Sequence, residues 1–134
     1  MEAAQAAVDY AGCDTATLAI TVLTSMDAAT LAATGVTREL TDQVKTLASC
    51  AAEAGLSGVV ASPQEAAMLR ELLGPDALIV TPGVRPAGAD LGDQSRVATP
   101  KAAFDAGASH IVVGRPITQA ADPVAAFEAI VAEL

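Results

Sequence analysis

The chain has 134 residues, one domain's worth, and its 16 acidic and 7 basic side chains give a net charge of −9. Such a charge repels polyanions and argues against nucleic acid as a partner. Hydrophobic residues make up 52% of the sequence and aromatic ones only 2%, so we expect a core of Ala, Val, Leu and Ile. The longest apolar runs are too short to cross a bilayer, and residues 1–11 lack the basic start of a secretory signal. We therefore expect a soluble, cytoplasmic protein with no membrane partner.

Short apolar runs alternate with helical patterns along the chain. Four positions, Asp27, Ser62, Thr99 and Asp122, are typical of residues that cap the start of a helix, and the last three precede a proline. The predicted helices cover residues 1–10, 28–33, 37–54, 63–73, 100–106 and 123–133. The predicted strands cover residues 17–23, 58–61, 77–81 and 110–113. Strands that alternate with helices predict a parallel sheet of four strands.

Two architectures fit this α/β pattern. One is a complete doubly wound domain of the flavodoxin type, and the other is half of a (β/α)₈ TIM barrel, which normally takes about 250 residues. Polar or glycine-rich segments follow all four predicted strands. A barrel uses the loops after every strand, whereas an open sheet concentrates its ligand at one switch point. The pattern therefore favours half of a barrel, with residues 1–134 forming a single partial domain.

The segments after the last two strands have the composition of a phosphate site. Arg85 follows the turn at Gly83, and Arg115 follows Gly114 at the start of a predicted helical turn. Guanidinium groups bind phosphate oxygens in pairs, and backbone N–H groups at a helix start favour an anion. Because a glycine lets the anion approach the backbone, Gly114 belongs to the same predicted site. Taken alone, Gly-Arg-Pro is equally typical of a tight turn with a solvated arginine.

Three further positions have two interpretations each. A loop of about fifteen residues, 84–98, suggests a lid that brings Gln94 over a ligand, or else a surface excursion. Thr24 either contacts a ligand ring from its strand end or caps the following helix. Arg96 is expected on the solvated side of the lid. Both cysteines are expected to be buried and inert, and their number and spacing do not predict a metal site.

Six segments resemble bacterial orotidine 5′-phosphate decarboxylases, in the order of that family's C-terminal half. The matching segments are 21–26 (Thr-Val-Leu-Thr-Ser-Met), 55–62 (Gly-Leu-Ser-Gly-Val-Val-Ala-Ser), 81–86 (Thr-Pro-Gly-Val-Arg-Pro), 92–96 (Gly-Asp-Gln-Ser-Arg), 99–100 (Thr-Pro) and 114–118 (Gly-Arg-Pro-Ile-Thr). The resemblance implies the C-terminal half of a homodimeric (β/α)₈ barrel that converts orotidine monophosphate (OMP) to UMP without metal or organic cofactor. It implies that Arg85, Gly114 and Arg115 hold the phosphate. It also implies that Gln94 bridges phosphate and pyrimidine, and that Thr24 lies against the base.

One feature of the family is missing from the sequence. The family's chemistry depends on an Asp/Lys array with an Asp-x-Lys-x-x-Asp motif, whereas the two lysines here, Lys45 and Lys101, stand in no such motif. We therefore assign no catalytic residue and predict that the chain alone is inactive. The expected partners are OMP or UMP, together with a second copy of the chain or a complementing N-terminal half. The alternatives are a non-catalytic nucleotide-phosphate binding module and a related sugar-phosphate decarboxylase barrel.

Overall fold

A computed structural model describes residues 1–86 and 96–134 of the chain. Within them, helices and strands alternate in the predicted order. The helices are α1 (Glu2–Ala11), α2 (Ala28–Ala33), α3 (Leu40–Glu53), α4 (Ala66–Leu73), α5 (Pro100–Asp105), α6 (Arg115–Thr118) and α7 (Pro123–Ala132). The strands are β1 (Leu18–Ile20), β2 (Gly58–Val60), β3 (Leu78–Thr81) and β4 (His110–Ile111), and a 3-10 turn (Pro63–Glu65) precedes α4.

The predicted helix starts are confirmed by side-chain hydrogen bonds. Asp27 accepts from the backbone N–H of Thr30, and Thr99 accepts from that of Ala102. Asp122 accepts from the N–H groups of both Val124 and Ala125. These bonds satisfy donors that have no partner inside the helix, so they fix where each helix begins. Ser62 likewise accepts from Gln64, although a 3-10 turn intervenes before α4.

All four strands are parallel and lie in the order β1–β2–β3–β4. Each strand pairs with the next one along the chain, so every crossover moves in the same direction across the sheet. In a flavodoxin-type sheet the second crossover instead runs in the direction opposite to the first. The observed order is that of consecutive units in a barrel.

The strands are shorter than the apolar runs that predict them. β1 covers three residues of the predicted 17–23, and beyond it the N–H of Thr21 bonds to the carbonyl oxygen of Val60. β4 covers two residues of the predicted 110–113. Both strands lie at the edges of the described sheet, where each is paired on one side only.

The core lies between one face of the sheet and the helices. Val59 of β2 and Ile79 of β3 are fully buried there, against Val44 of α3 and Leu69 of α4. Side chains of a strand alternate between its two faces, so the neighbours of Val59 and Ile79 point to the opposite face.

That opposite face, here called the open face, is not covered by residues 1–86 or 96–134. One register line runs across it through Ile20, Val60, Val80 and His110. Ile20 is 66% exposed and Val112 49% exposed, whereas parallel sheets normally bury both faces. Within the described ranges, no helix is long and apolar enough to span a membrane.

Candidate functional site at the carboxyl edge of the sheet

A hollow of about 210 Å³ lies at the carboxyl ends of the first three strands. Thr24, which is buried, lines it together with Leu23, Val60 and Pro82. Small-molecule sites usually enclose about 300–1,000 Å³, so this hollow is smaller than a typical site. Asp27 caps α2, so the alternative in which Thr24 provides that cap is wrong.

The segment after β3 turns sharply before Arg85. Gly83 has a φ of 78°, a conformation that favours glycine, and the turn buries the residues that follow. The backbone N–H of Arg85 donates to the carbonyl oxygen of Ala98 at 2.9 Å, and Val84 forms a parallel bridge with Ala98. The Arg85 guanidinium donates to the carbonyl oxygen of Val84. The two ends of the long loop are thereby tied together beside β3.

The segment after β4 forms α6, a helix of a single turn with Gly114 as its N-cap. The carbonyl oxygen of Gly114 accepts from the N–H groups of Ile117 and Thr118, at 2.9 and 3.0 Å. A side chain built on Gly114 would meet nothing within 4 Å, so the space beside this backbone is open. Arg115, the first residue of α6, is exposed.

The strand pairing places these two segments at the same edge of the sheet. Thr81 of β3 is in register with Ile111 of β4, and Arg85 and Arg115 each follow four residues later. Adjacent strands lie about 4.8 Å apart, so the two segments leave the sheet as neighbours. Gln94 lies outside the described residues.

Arg96 is buried, and the expectation that it lies on a solvated surface is wrong. Its guanidinium pairs with the carboxylate of Glu65 and donates to the carbonyl oxygens of Val22 and Leu23, at 3.2 and 2.9 Å. Its own carbonyl oxygen accepts from the Ser62 hydroxyl at 3.2 Å. We call this group the Arg96 cluster: Arg96, Glu65, Ser62 and the carbonyl groups of Val22 and Leu23. Its partners lie at least 31 positions away in the chain, so no local pattern points to it.

The remaining polar candidates lie away from this edge or on the surface. His110 is exposed, and its ring contacts the Ser109 hydroxyl. Cys13 and Cys50 are both exposed, which contradicts their expected burial. Cys13 follows the end of α1, and Cys50 lies on α3. Across residues 1–86 and 96–134, His, Cys, Asp and Glu side chains form no group of three that could hold a metal ion.

The sequence and fold have clear relatives. The profile of the Orotidine 5′-phosphate decarboxylase / HUMPS family matches residues 1–130. The chain belongs to this family. It is 56% identical to an orotidine 5′-phosphate decarboxylase of Thermobifida fusca over 130 residues, which cover 97% of this chain and 55% of the relative. A second such enzyme, from Halorhodospira halophila, is 56% identical over 134 residues, covering 100% of this chain and 57% of the relative.

Two solved structures share the fold. The crystal structure of orotidine 5′-phosphate decarboxylase from Lactobacillus acidophilus matches with a TM-score of 0.72 and 44% identity, over 88% of this chain and 48% of that one. An uncharacterized conserved protein from Geobacillus kaustophilus matches with a TM-score of 0.74 and 33% identity, over 98% of this chain and 56% of that one. The chain thus spans about half the length of its relatives. The half-barrel prediction is confirmed.

Proposed function

We propose that this chain is the phosphate-binding half of an orotidine 5′-phosphate decarboxylase. In this proposal Arg85, Gly114 and Arg115 hold the phosphate of OMP or UMP, Thr24 lies against the base, and Gln94 bridges base and phosphate. The equal offset of Arg85 and Arg115 from the paired residues Thr81 and Ile111 is the observation that carries the proposal. Both segments leave the same edge of the sheet. The proposal takes them as cations for an anionic ligand in a chain whose net charge is −9.

The arginines and the exposed backbone have separate roles in holding a dianion. Each guanidinium can donate two parallel hydrogen bonds to phosphate oxygens. α6 has four residues, so its macrodipole is weak and the N–H groups near Gly114 act as direct donors instead. In this structure one nitrogen of the Arg85 guanidinium donates to the carbonyl oxygen of Val84, the preceding residue. A guanidinium carries five N–H donors, so this bond is compatible with a contact to phosphate.

The chain lacks the groups that would break the bond to the departing carboxylate. Decarboxylation releases CO₂ and leaves an electron pair on the ring carbon, which must be stabilised and then protonated. Lys45 is exposed on α3, and Lys101 pairs with Asp105 on the exposed side of α5 at 3.1 Å. Neither belongs to an Asp-x-Lys-x-x-Asp motif, and loss of such charge stabilisation typically costs about 10²–10³ or more in rate. The chain alone should therefore bind nucleotide without decarboxylating it.

The open face defines the partner in this proposal. Its apolar side chains match the inner face of a barrel, which other strands normally cover with layers of side chains. A complementing N-terminal half would cover this face, pair with the edge strands β1 and β4, and supply the missing Asp/Lys array. Dimerisation of the chain through the same face is the competing assembly. A cytoplasmic location belongs to this proposal, because a phosphorylated nucleotide does not cross membranes unaided.

Calorimetric titration of UMP into the purified chain tests nucleotide binding. Arg115→Ala should weaken UMP binding by about 10- to 100-fold, since a hydrogen bond to a charged group contributes about 1.5–3 kcal/mol. Arg38→Ala removes the same charge from an arginine whose guanidinium donates to Thr46 on α3, and should leave affinity nearly unchanged. Equal affinities for wild type and Arg115→Ala would exclude this phosphate site.

The same protein tests whether this chain binds the nucleotide while an N-terminal half supplies the catalytic residues. Decarboxylation of OMP is followed for the chain alone and for the chain co-expressed with an N-terminal half from a relative. We expect activity only in the second sample. Activity of the chain alone would show that other residues perform the chemistry. Loss of UMP binding in Arg115→Ala but not in Gln94→Ala would favour a binding site for a sugar phosphate over one for a nucleotide.

A further inference from the structure

The Arg96 cluster joins three strand ends that the proposed site needs in a fixed arrangement. The Arg96 guanidinium bonds to Val22 and Leu23, the two residues before Thr24. Through its carbonyl oxygen it also holds Ser62, which follows β2. Two residues further along the chain, Ala98 accepts the backbone N–H of Arg85.

We infer that Arg96 is the positioning residue that sets the separation between Thr24 and Arg85. The inference rests on the proposed function, in which Thr24 contacts the base and Arg85 the phosphate of the same nucleotide. Arg96 touches neither end of that ligand in the proposal. It acts through the backbone, by holding the end of β1 against the segment that closes onto β3.

The chemistry of the cluster suits an arginine in particular. The planar guanidinium carries five N–H donors in a fixed geometry, so one side chain reaches two carbonyl oxygens and a carboxylate together. A lysine is a compact point charge on a flexible stem and does not impose the same geometry. Arg96 is 8% exposed and Glu65 6% exposed, so the pair is held away from water.

The ion pair is better suited to fixing geometry than to adding stability. Among the described residues, Glu65 Oε2 and Arg96 Nε are buried with no hydrogen-bond partner. Taking two charges out of water is costly, and apolar replacements of such pairs are often as stable or more stable. The specific effect of the cluster is therefore the placement of the two carbonyl groups that precede Thr24.

Two variants separate positioning from stability. Arg96→Met removes the bonds to Val22 and Leu23 but leaves the Glu65 carboxyl buried without its cation. The double variant Arg96→Met/Glu65→Leu removes the same bonds without leaving a buried charge, so it should fold at least as well as the single variant. Arg70→Met is the matched control, because Arg70 also donates to several carbonyl groups, those of Gly74, Pro75, Ala77 and Gly107. Those carbonyl groups precede β3 and β4, so they lie at the amino ends of the strands, away from the proposed site.

The first readout compares UMP with inorganic phosphate as ligands. Inorganic phosphate contacts only the phosphate-binding residues, so it can bind even if the distance between Thr24 and Arg85 changes. UMP contacts both residues and needs that distance to be fixed. Both Arg96 variants should lose at least about tenfold in UMP affinity and less than about threefold in phosphate affinity, as expected for misplaced binding groups. Arg70→Met should keep the wild-type ratio of UMP affinity to phosphate affinity. Arg96→Lys should not keep that ratio, because a lysine does not impose the geometry of the guanidinium. An unchanged ratio in the double variant would overturn the inference.

The second readout is hydrogen exchange of backbone amides, which needs no ligand. In both Arg96 variants the Arg85 amide should exchange faster, while the Ala61 amide, bonded to Val80 between β2 and β3, should keep its protection. Equal acceleration at both amides would show a purely global effect and contradict the inference. If wild type binds neither ligand, the proposed function fails, and the exchange pattern alone decides the role of Arg96.

Discussion

Burial raises the pKa of the Glu65 carboxyl, although the neighbouring Arg96 guanidinium favours its ionised form. The folded chain therefore holds the Glu65 proton more tightly than the unfolded chain does. In such a case the contribution of the residue to stability is largest at low pH. It falls as the pH rises from the ordinary glutamate range through the raised pKa. Glu65 thus opposes folding most when it is ionised.

We expect Glu65→Gln to flatten the dependence of stability on pH. The free energy of unfolding is measured by urea denaturation between about pH 4 and pH 7, over which wild type should lose more stability than the variant. Glu71→Gln, on the exposed part of α4, is the control and should follow the wild-type slope. Parallel curves for wild type and Glu65→Gln would show that burial does not govern this carboxyl.

At the residue scale, the hydrogen-bond partners of buried arginines could not be predicted from the sequence. Arg96 was expected on a solvated surface, the usual location of a lone cation. The structure instead surrounds it with backbone carbonyl oxygens and a carboxylate. Arg70 likewise donates to backbone carbonyl groups and spans 37 positions to reach Gly107. Carbonyl acceptors exist at every residue, so the sequence does not indicate which of them a distant guanidinium will meet. The sequence did predict that Arg85 and Arg115 follow adjacent strands, because each lies a few residues beyond an apolar run. Their binding of phosphate stays a prediction.

Local signals determine the elements of this fold. Helix caps such as Asp27 and Thr99 act within three residues, so the sequence predicted them correctly. Gly12 ends α1 in the left-handed conformation, which glycine adopts without steric cost. Strand lengths depend on partners elsewhere in the chain, and so the apolar runs predicted β1 and β4 to be longer than they are. Residues 87–95, where the role of Gln94 was predicted, lie outside the described residues.

Two glycine substitutions should separate packing from binding at this scale. A side chain at Gly58 would overlap the carbonyl group of Leu78 on β3, so Gly58→Ala should destabilise the chain by about 1–3 kcal/mol or more. At Gly114 a side chain meets nothing within 4 Å, so Gly114→Ala should leave the melting temperature nearly unchanged. It should still weaken UMP binding if phosphate approaches that backbone. A thermal melt and a UMP titration of each variant check both expectations, and a stable Gly58→Ala would contradict the first.

On the scale of the whole molecule, two apolar surfaces stand out that the described residues leave uncovered. One is the open face, and the other is a stripe on α7 formed by Val124, Phe127 and Val131, all at least half exposed. The spacing of three and four residues puts these three side chains on one side of the helix. Contiguous apolar patches of this kind mark association surfaces, so the isolated chain is expected to associate.

We expect charged substitutions on the open face to prevent that association. Ile20→Lys with Val112→Lys should shift the chain toward monomer and abolish the activity gained with an N-terminal half, since both assemblies cover this face. Leu72→Lys, on the outer surface of α4 and 45% exposed, should change neither property. Light scattering after size-exclusion chromatography measures the first effect and OMP decarboxylation the second. A double variant that still complements would place the contact elsewhere.

The stepwise strand order also bears on how the chain acquires its structure during synthesis. Gly58 and Leu78 are paired 20 positions apart, Val80 and His110 30 apart, and Leu18 and Gly58 40 apart. Doubling a loop raises its closure cost by about 0.6 kcal/mol, so the ladder between β2 and β3 is favoured to nucleate. Each later strand then adds to a neighbour that has already left the ribosome. Folding can therefore advance from the middle outward, one βα unit at a time.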